Sequence, residues 1–140
     1  MRTHTSEVAE VLGIRSSPTP VQLIEALERG LSVRALDRVA SLIAPADANF
    51  KYLVIPKATL ARRKGSHRLT RDESGRLARL AQVWRAAVDV WKTDDQARRF
   101  LVRPHMLLEG RTPVDVALKT EIGARLVDEI LGRLKYGSAV

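Results

Sequence analysis

The amino-acid sequence predicts an all-α fold, and three observations carry that prediction. Apolar residues recur three and four apart through most of the chain, hydroxyl residues and prolines stand where helices would begin, and no apolar–polar alternation of useful length marks a strand. No internal repeat is present. With 45% apolar and 29% charged residues over 140 positions, the balance is that of a folded globular chain. Folding at this length buries about 68–70% of the unfolded surface.

Residues 1–19 read as a polar leader that ends in Ser16-Ser17-Pro18-Thr19-Pro20, where each proline disfavours helix in the residue before it. From there Val21, Ile24 and Leu27 recur on one face, and Gly30 follows as a C-terminal cap, which predicts a short helix. Ser32 caps a second helix, with Leu36, Val39, Ala40 and Ile43 at i, i+3, i+4 and i+7, before Pro45 sits at the start of the next segment. Residues 45–56 form a short helical pattern broken at Pro56, and Lys57 to Lys64 form another. Two short helices with a tight connection outline a helix-turn-helix. In that arrangement the second helix presents Lys57, Thr59, Arg62, Arg63 and Lys64, with Ala58 and Leu60 or Ala61 turned inward.

Thr70-Arg71-Asp72-Glu73 has the pattern of a reciprocal N-terminal cap and predicts the start of a long helix. Its apolar face, Leu77, Leu80, Ala81, Trp84, Ala87, Val88 and Trp91, runs for about four turns. Both tryptophans lie on that face, which makes them core anchors rather than a platform for stacked bases, and aromatic residues are only 4% of the chain. The face is long enough for a core and for a dimer seam, and the sequence does not separate the two. Thr93-Asp94-Asp95-Gln96 caps a short helix through Ala97, Phe100 and Leu101 that stops at Pro104. Thr112-Pro113, with Asp115 in the first turn, predicts a helix from Pro113 to Lys119. A terminal helix marked by Gly123, Val127, Ile130, Leu131 and Leu134 is closed by Gly137.

The net charge of +8 is localised. Residues 48–71 hold seven basic side chains (Lys51, Lys57, Arg62, Arg63, Lys64, Arg68 and Arg71) and no acidic one, while the rest of the chain carries 17 basic and 16 acidic residues. A segregated block of this kind is either a polyanion-binding surface or a solvated basic face, since phosphate contacts supply most non-specific nucleic-acid affinity. Contact with about four phosphates per subunit would give a slope near −3.6 in log affinity against log salt. Operator recognition would further require two subunits reading half-sites about one helical turn apart.

Other function classes find little support. There is no cysteine, and His4, His67 and His105 are too far apart in sequence for a spaced metal-ligand motif, so neither a metal nor another cofactor is expected. The acidic pairs Asp94-Asp95 and Asp128-Glu129 diverge around a helix, and no nucleophile stands beside a histidine, so no catalytic residue and no enzyme activity are expected. No apolar run approaches the roughly 18 residues that cross a bilayer, and the N-terminal stretch has no signal-peptide core, which predicts a cytoplasmic protein without a membrane partner.

Three segments read together, Leu107-Leu108-Glu109-Gly110-Arg111-Thr112-Pro113, Gly123-Ala124-Arg125-Leu126-Val127 and Leu131-Gly132-Arg133-Leu134-Lys135-Tyr136-Gly137, strongly resemble the C-terminal toxin-binding domain of Xre/MbcA/ParS antitoxins. Upstream, Thr59-Leu60-Ala61-Arg62-Arg63-Lys64 and Leu69 to Leu77 look like the Xre-type helix-turn-helix and bridging helix of the same family. The resemblance covers roughly residues 20–137. It implies a leader at 1–19, a DNA-binding region at 20–69, and a bridging helix with toxin-binding domain at 70–140.

The same resemblance implies a RES-domain toxin as partner, an enzyme that consumes NAD or uses it for ADP-ribosylation, whose active site the antitoxin obstructs. Operator DNA is the second implied partner, approached by Lys57, Thr59, Arg62, Arg63, Lys64 and Arg68 of a homodimer. The turn Tyr52-Leu53-Val54-Ile55-Pro56 departs from the pattern in lacking the glycine common in such turns. On the toxin-binding side the candidate residues are Arg103, Leu108, Arg111, Arg133, Lys135, Tyr136, Gly137 and Val140. From Pro104 to Val140 basic and acidic residues number five each, so recognition there depends on shape and a few anchors, and tyrosine and arginine are the residue types enriched in such anchors. The alternative reading is a stand-alone helix-turn-helix regulator, for which the basic block suffices.

Overall fold

The computed structural model describes residues 3–14 and 17–137, and of Lys64 only the backbone. Among them lie nine α-helices, one 3-10 turn and no strand, as expected. They are α1 His4–Val11, α2 Pro20–Arg29, α3 Val33–Ile43, α4 Lys51–Val54, α5 Lys57–Ser66, α6 Arg71–Trp91, α7 Asp94–Val102, α8 Pro113–Lys119 and α9 Glu121–Lys135, with the 3-10 turn at Met106–Leu108.

Hydroxyl side chains start most of these helices. Thr19, Ser32, Thr70, Thr93, Thr112 and Thr120 each accept a hydrogen bond from a backbone N–H two or three residues on, which satisfies one of the donors that a helix start leaves open. At α6 the cap is reciprocal, with the Thr70 hydroxyl accepting from Glu73 N and the Glu73 carboxylate accepting from Thr70 N.

Helix α6 is the spine: α1, α2, α3, α4, α7, α8 and α9 all pack against it. Leu77, Leu80, Ala81, Trp84 and Ala87 are buried along it. The face long enough for a dimer seam is thus filled by the chain's own helices.

One expectation is corrected here. The polar leader contains α1, whose Val8, Ala9 and Val11 are buried and which packs on α6. Eight residues are too few for a stable free helix, so α1 owes its existence to that docking. Helix α2 forms where the apolar spacing places it and ends at Gly30, with Leu23 and Leu27 against the core, while Val21 is 62% and Ile24 54% exposed.

Helix ends are closed in an unusual manner, by arginines reaching from distant elements. Arg38 donates to the carbonyls of Glu10 and Val11 at the end of α1, Arg68 to Gly30 after α2, and Arg98 to Leu42 in the last turn of α3. From the spine, Arg76 donates to Val54 of α4 at 2.6 Å, and Arg79 to Ala117 and Leu118 of α8 at 2.9 and 2.7 Å. A guanidinium suits this position because it supplies several donors to the last carbonyls and a positive charge to the negative end of the helix.

Two turns are also joined directly. The α2–α3 connection and the α5–α6 connection form an antiparallel bridge at Ser32 and Arg68, with Leu69 N donating to Leu31 O and Val33 N to His67 O. The buried Ser74 hydroxyl accepts from Leu31 N at 2.8 Å.

Candidate functional site

The basic surface is built on α4 and α5. Among the described side chains of α5 only Leu60 is a buried core residue; Lys57, Ala58, Ala61 and Arg62 are exposed and Thr59 is half-buried. The expectation that Ala58 turns inward is therefore corrected, because α5 leans on the core through little more than one leucine. Lys57 and Lys51 both stand near the Tyr52 ring, at 5.7 and 5.6 Å from its centroid.

Arg63 has a different place from its neighbours. Its Nε donates to the Glu73 carboxylate at 2.9 Å, and Glu73 is itself buried. Arg63 thus ties α5 to the first turn of α6. Arg68 is engaged with Gly30 O, and the side chain of Lys64 lies outside the described residues.

Burial alone pushes the Glu73 carboxyl up, but the hydrogen bonds from Arg63 and Thr70, with the charge of Arg63, outweigh it and hold the group below its ordinary value. A carboxyl depressed in the folded state contributes stability that is present above its unfolded value, about 4.3, and lost as pH falls through the folded one. Unfolding by urea at a series of pH values should therefore show wild type losing stability on acidification below about pH 4.5 more steeply than Glu73→Gln. Parallel curves would remove Glu73 from this role.

At the other end of the molecule, residues 105–111 fold into a compact turn. His105 N donates to Arg111 O, Gly110 N to His105 O, and the His105 Nδ1 accepts from Leu107 N at 3.1 Å. Glu109 and Gly110 both have positive φ. Leu108 is only 5% exposed and anchors this turn from beneath, while Met106 and Leu107 are left outside. Those two were missed in the sequence; three successive apolar residues in a tight turn cannot all face one core, which was the available sign.

Arg103, Arg111 and Arg133 are exposed. Lys135 forms an ion pair with Asp89 of α6, a hydrogen bond that holds the Asp89 carboxyl below its ordinary value. Next to it Tyr136 is 79% exposed, with the Lys135 ammonium 5.5 Å from its ring centroid, and Gly137 follows with positive φ. Val140 lies outside the described residues.

Both ends of this architecture match known domains. Residues 22–82 match the Antitoxin Xre-like helix-turn-helix domain, and residues 86–137 match the Antitoxin Xre/MbcA/ParS C-terminal toxin-binding domain. The chain is also 34% identical over 140 residues to Antitoxin Xre of Yersinia enterocolitica serotype O:8 / biotype 1B, covering 96% of this chain and 92% of that protein. The chain belongs to the Xre antitoxin family. A second relative, Antitoxin Xre of Photorhabdus laumondii subsp. laumondii, is 30% identical over 139 residues, covering 97% of this chain and 93% of its own length.

In this Xre-type antitoxin the helix-turn-helix match spans α2 to the middle of α6, and the toxin-binding match takes up the rest of α6 and everything after it. The two domains therefore share one continuous helix. No helix among the described residues is long and apolar enough to cross a membrane.

Proposed function

We infer that the antitoxin acts in the cytoplasm, where it binds a cognate NAD-using RES-domain toxin and occludes its active site. It does so with the end of α9 and the residues beyond, has no catalytic role of its own, and binds its operator as a homodimer to repress transcription. The observation that carries this reading is the position of Tyr136. It closes the segment matched to a toxin-binding domain, it is exposed, and it stands beside a lysine fixed to the spine. An amphipathic ring with a cationic neighbour is the kind of anchor that fills a partner's pocket.

On the DNA side, the exposed Lys57 and Arg62 of α5 are the groups that reach phosphate or base edges, with Lys64 in the same stretch. With Arg63 committed to Glu73, contact falls to about three phosphates per subunit, and the expected salt slope becomes shallower, near −2.7. The open face of α2, with Val21 and Ile24, offers apolar surface for the contact between subunits.

Co-expression with the toxin encoded beside this gene tests the reading. The full chain should copurify with the toxin and keep cellular NAD at its normal level, and a chain ended after Leu134 should not. Normal NAD with the shortened chain would remove Tyr136 and the tail from the mechanism. Failure of the full chain to associate with the toxin would leave the second reading, a stand-alone regulator, which the exposed basic face of α5 favours.

A further inference from the structure

A second feature of the toxin-binding domain lies beside the Tyr136 end. Between α7, the segment that follows it and the end of α9 runs an open groove of roughly 440 Å³. Trp91, Phe100 and His105 form its aromatic lining, Arg99 and Arg103 are charged residues along it, and Leu134 contributes from α9.

The aromatic lining is ordered. Trp91 and Phe100 are tilted against each other with centroids 6.2 Å apart, and His105 meets Phe100 edge-on at 5.8 Å. Because His105 Nδ1 accepts a hydrogen bond from Leu107 N, the imidazole is fixed in orientation. Leu134, 45% exposed, borders the groove beside Lys135, which is paired with Asp89 of α6. The groove is thus preformed, which lowers the ordering cost of binding.

The charges indicate what it receives. Among the described residues no acidic one lines the groove. The side chains of Arg99 and Arg103 are exposed and make no hydrogen bond or ion pair among the described residues, whereas those of Arg38, Arg63, Arg68, Arg76, Arg79 and Arg98 are engaged within the fold. An aromatic floor with free guanidinium groups beside it suits an apolar side chain flanked by carboxylates. A second copy of this chain, at net charge +8, is a poor electrostatic match for that surface.

We propose that this groove is a second docking site for the toxin and seats a surface segment of it in which an apolar residue lies between acidic ones. The proposal rests on the toxin-binding reading above and deepens it. The groove lies wholly within residues 86–137 and reaches α9 two residues before Tyr136, so a single partner could cover both.

The test uses the full chain and the toxin from the adjacent gene. Arg99→Glu/Arg103→Glu changes two exposed side chains, so the fold should be retained, which a thermal melt checks. The double variant should bind the toxin roughly 30-fold more weakly, as expected for loss of an interface hot spot. Toxin binding at wild-type strength by the double variant would overturn the groove while leaving the Tyr136 reading intact. Absence of toxin binding by the wild-type chain would instead bring down both.

The identity of the occupant is read separately. The sequence has no cysteine, so Gln96→Cys at the groove carries a single attachment point for a photo-cross-linker. Capture of a toxin peptide holding an apolar residue next to Asp or Glu is the expected result. Capture of a basic toxin segment, or of a second antitoxin chain, would overturn the proposal.

Discussion

Gly123→Ala should lower the melting temperature of the antitoxin by roughly 10 °C and with it the capacity to neutralise toxin. Gly123 lies in the first turn of α9, where its amide donates to the Thr120 hydroxyl. A methyl group there would stand 2.0 Å from the Val116 carbonyl oxygen of α8, a distance no real Cβ reaches. The obstacle is backbone rather than the flexible end of a side chain, so α8 and α9 must move apart, and the cost of such overpacking is about 3 kcal/mol. The better helix propensity of alanine offsets up to about 1 kcal/mol of that. Gly132, nine residues along the same helix, is the control. Nothing lies within 4 Å of a methyl group placed there, so Gly132→Ala should melt at or slightly above wild type. Equal melting of both variants would mean that the close approach of α8 and α9 is dispensable.

Gly30→Ala should be at least as damaging, and at the opposite end of the molecule. Gly30 has φ +94, which an L side chain adopts only with strain of about 1–2 kcal/mol. Its methyl group would also meet the Leu69 carbonyl oxygen at 2.2 Å. That oxygen belongs to the segment through which the α5–α6 turn is bridged to the α2–α3 turn, so relief of the clash pulls at Leu69 N→Leu31 O and at the Arg68 bond to Gly30 O. The combined penalty is about 3–5 kcal/mol, or a fall in melting temperature of more than about 10 °C. On the proposed reading, operator binding should weaken more than toxin binding below that transition, because the disturbed Arg68 and Leu69 follow directly on α5. Wild-type melting of this variant, checked by calorimetry, would contradict the strained contact.

Helix starts were legible in the sequence because they depend on one side chain and a backbone amide two or three residues away. Ser32, Thr70, Thr93 and Thr112 all cap where the pattern places them, and Pro113 to Lys119 forms the helix expected between them and Thr120. The spine was legible for the same reason, with Leu77, Leu80, Ala81, Trp84 and Ala87 on one face. Features set by distant partners were not. Helix α1 exists by docking on α6, and its Val8 and Val11 stand among polar neighbours that give no local sign of it. Arg63 and Arg62 are alike in a run of basic residues, and only the approach of Glu73, ten positions on, separates a tie from a free cation. Leu108 and Leu107 are likewise adjacent leucines, one buried and one exposed, divided by a turn whose geometry no local propensity specifies. Val21 and Ile24 show the converse failure, since an apolar stripe announces a partner without saying that the partner belongs to the same chain.

The five helix ends held by remote guanidinium groups have an architectural consequence. Where a helix stops is ordinarily settled by the residues of the turn that follows it, so that altering the turn moves the stop. Here α1, α2, α3, α4 and α8 are each fastened at their far end from another part of the chain. The connecting stretches are thereby relieved of much of that duty, so a residue inserted in one of them should leave the helices in their places around a common axis.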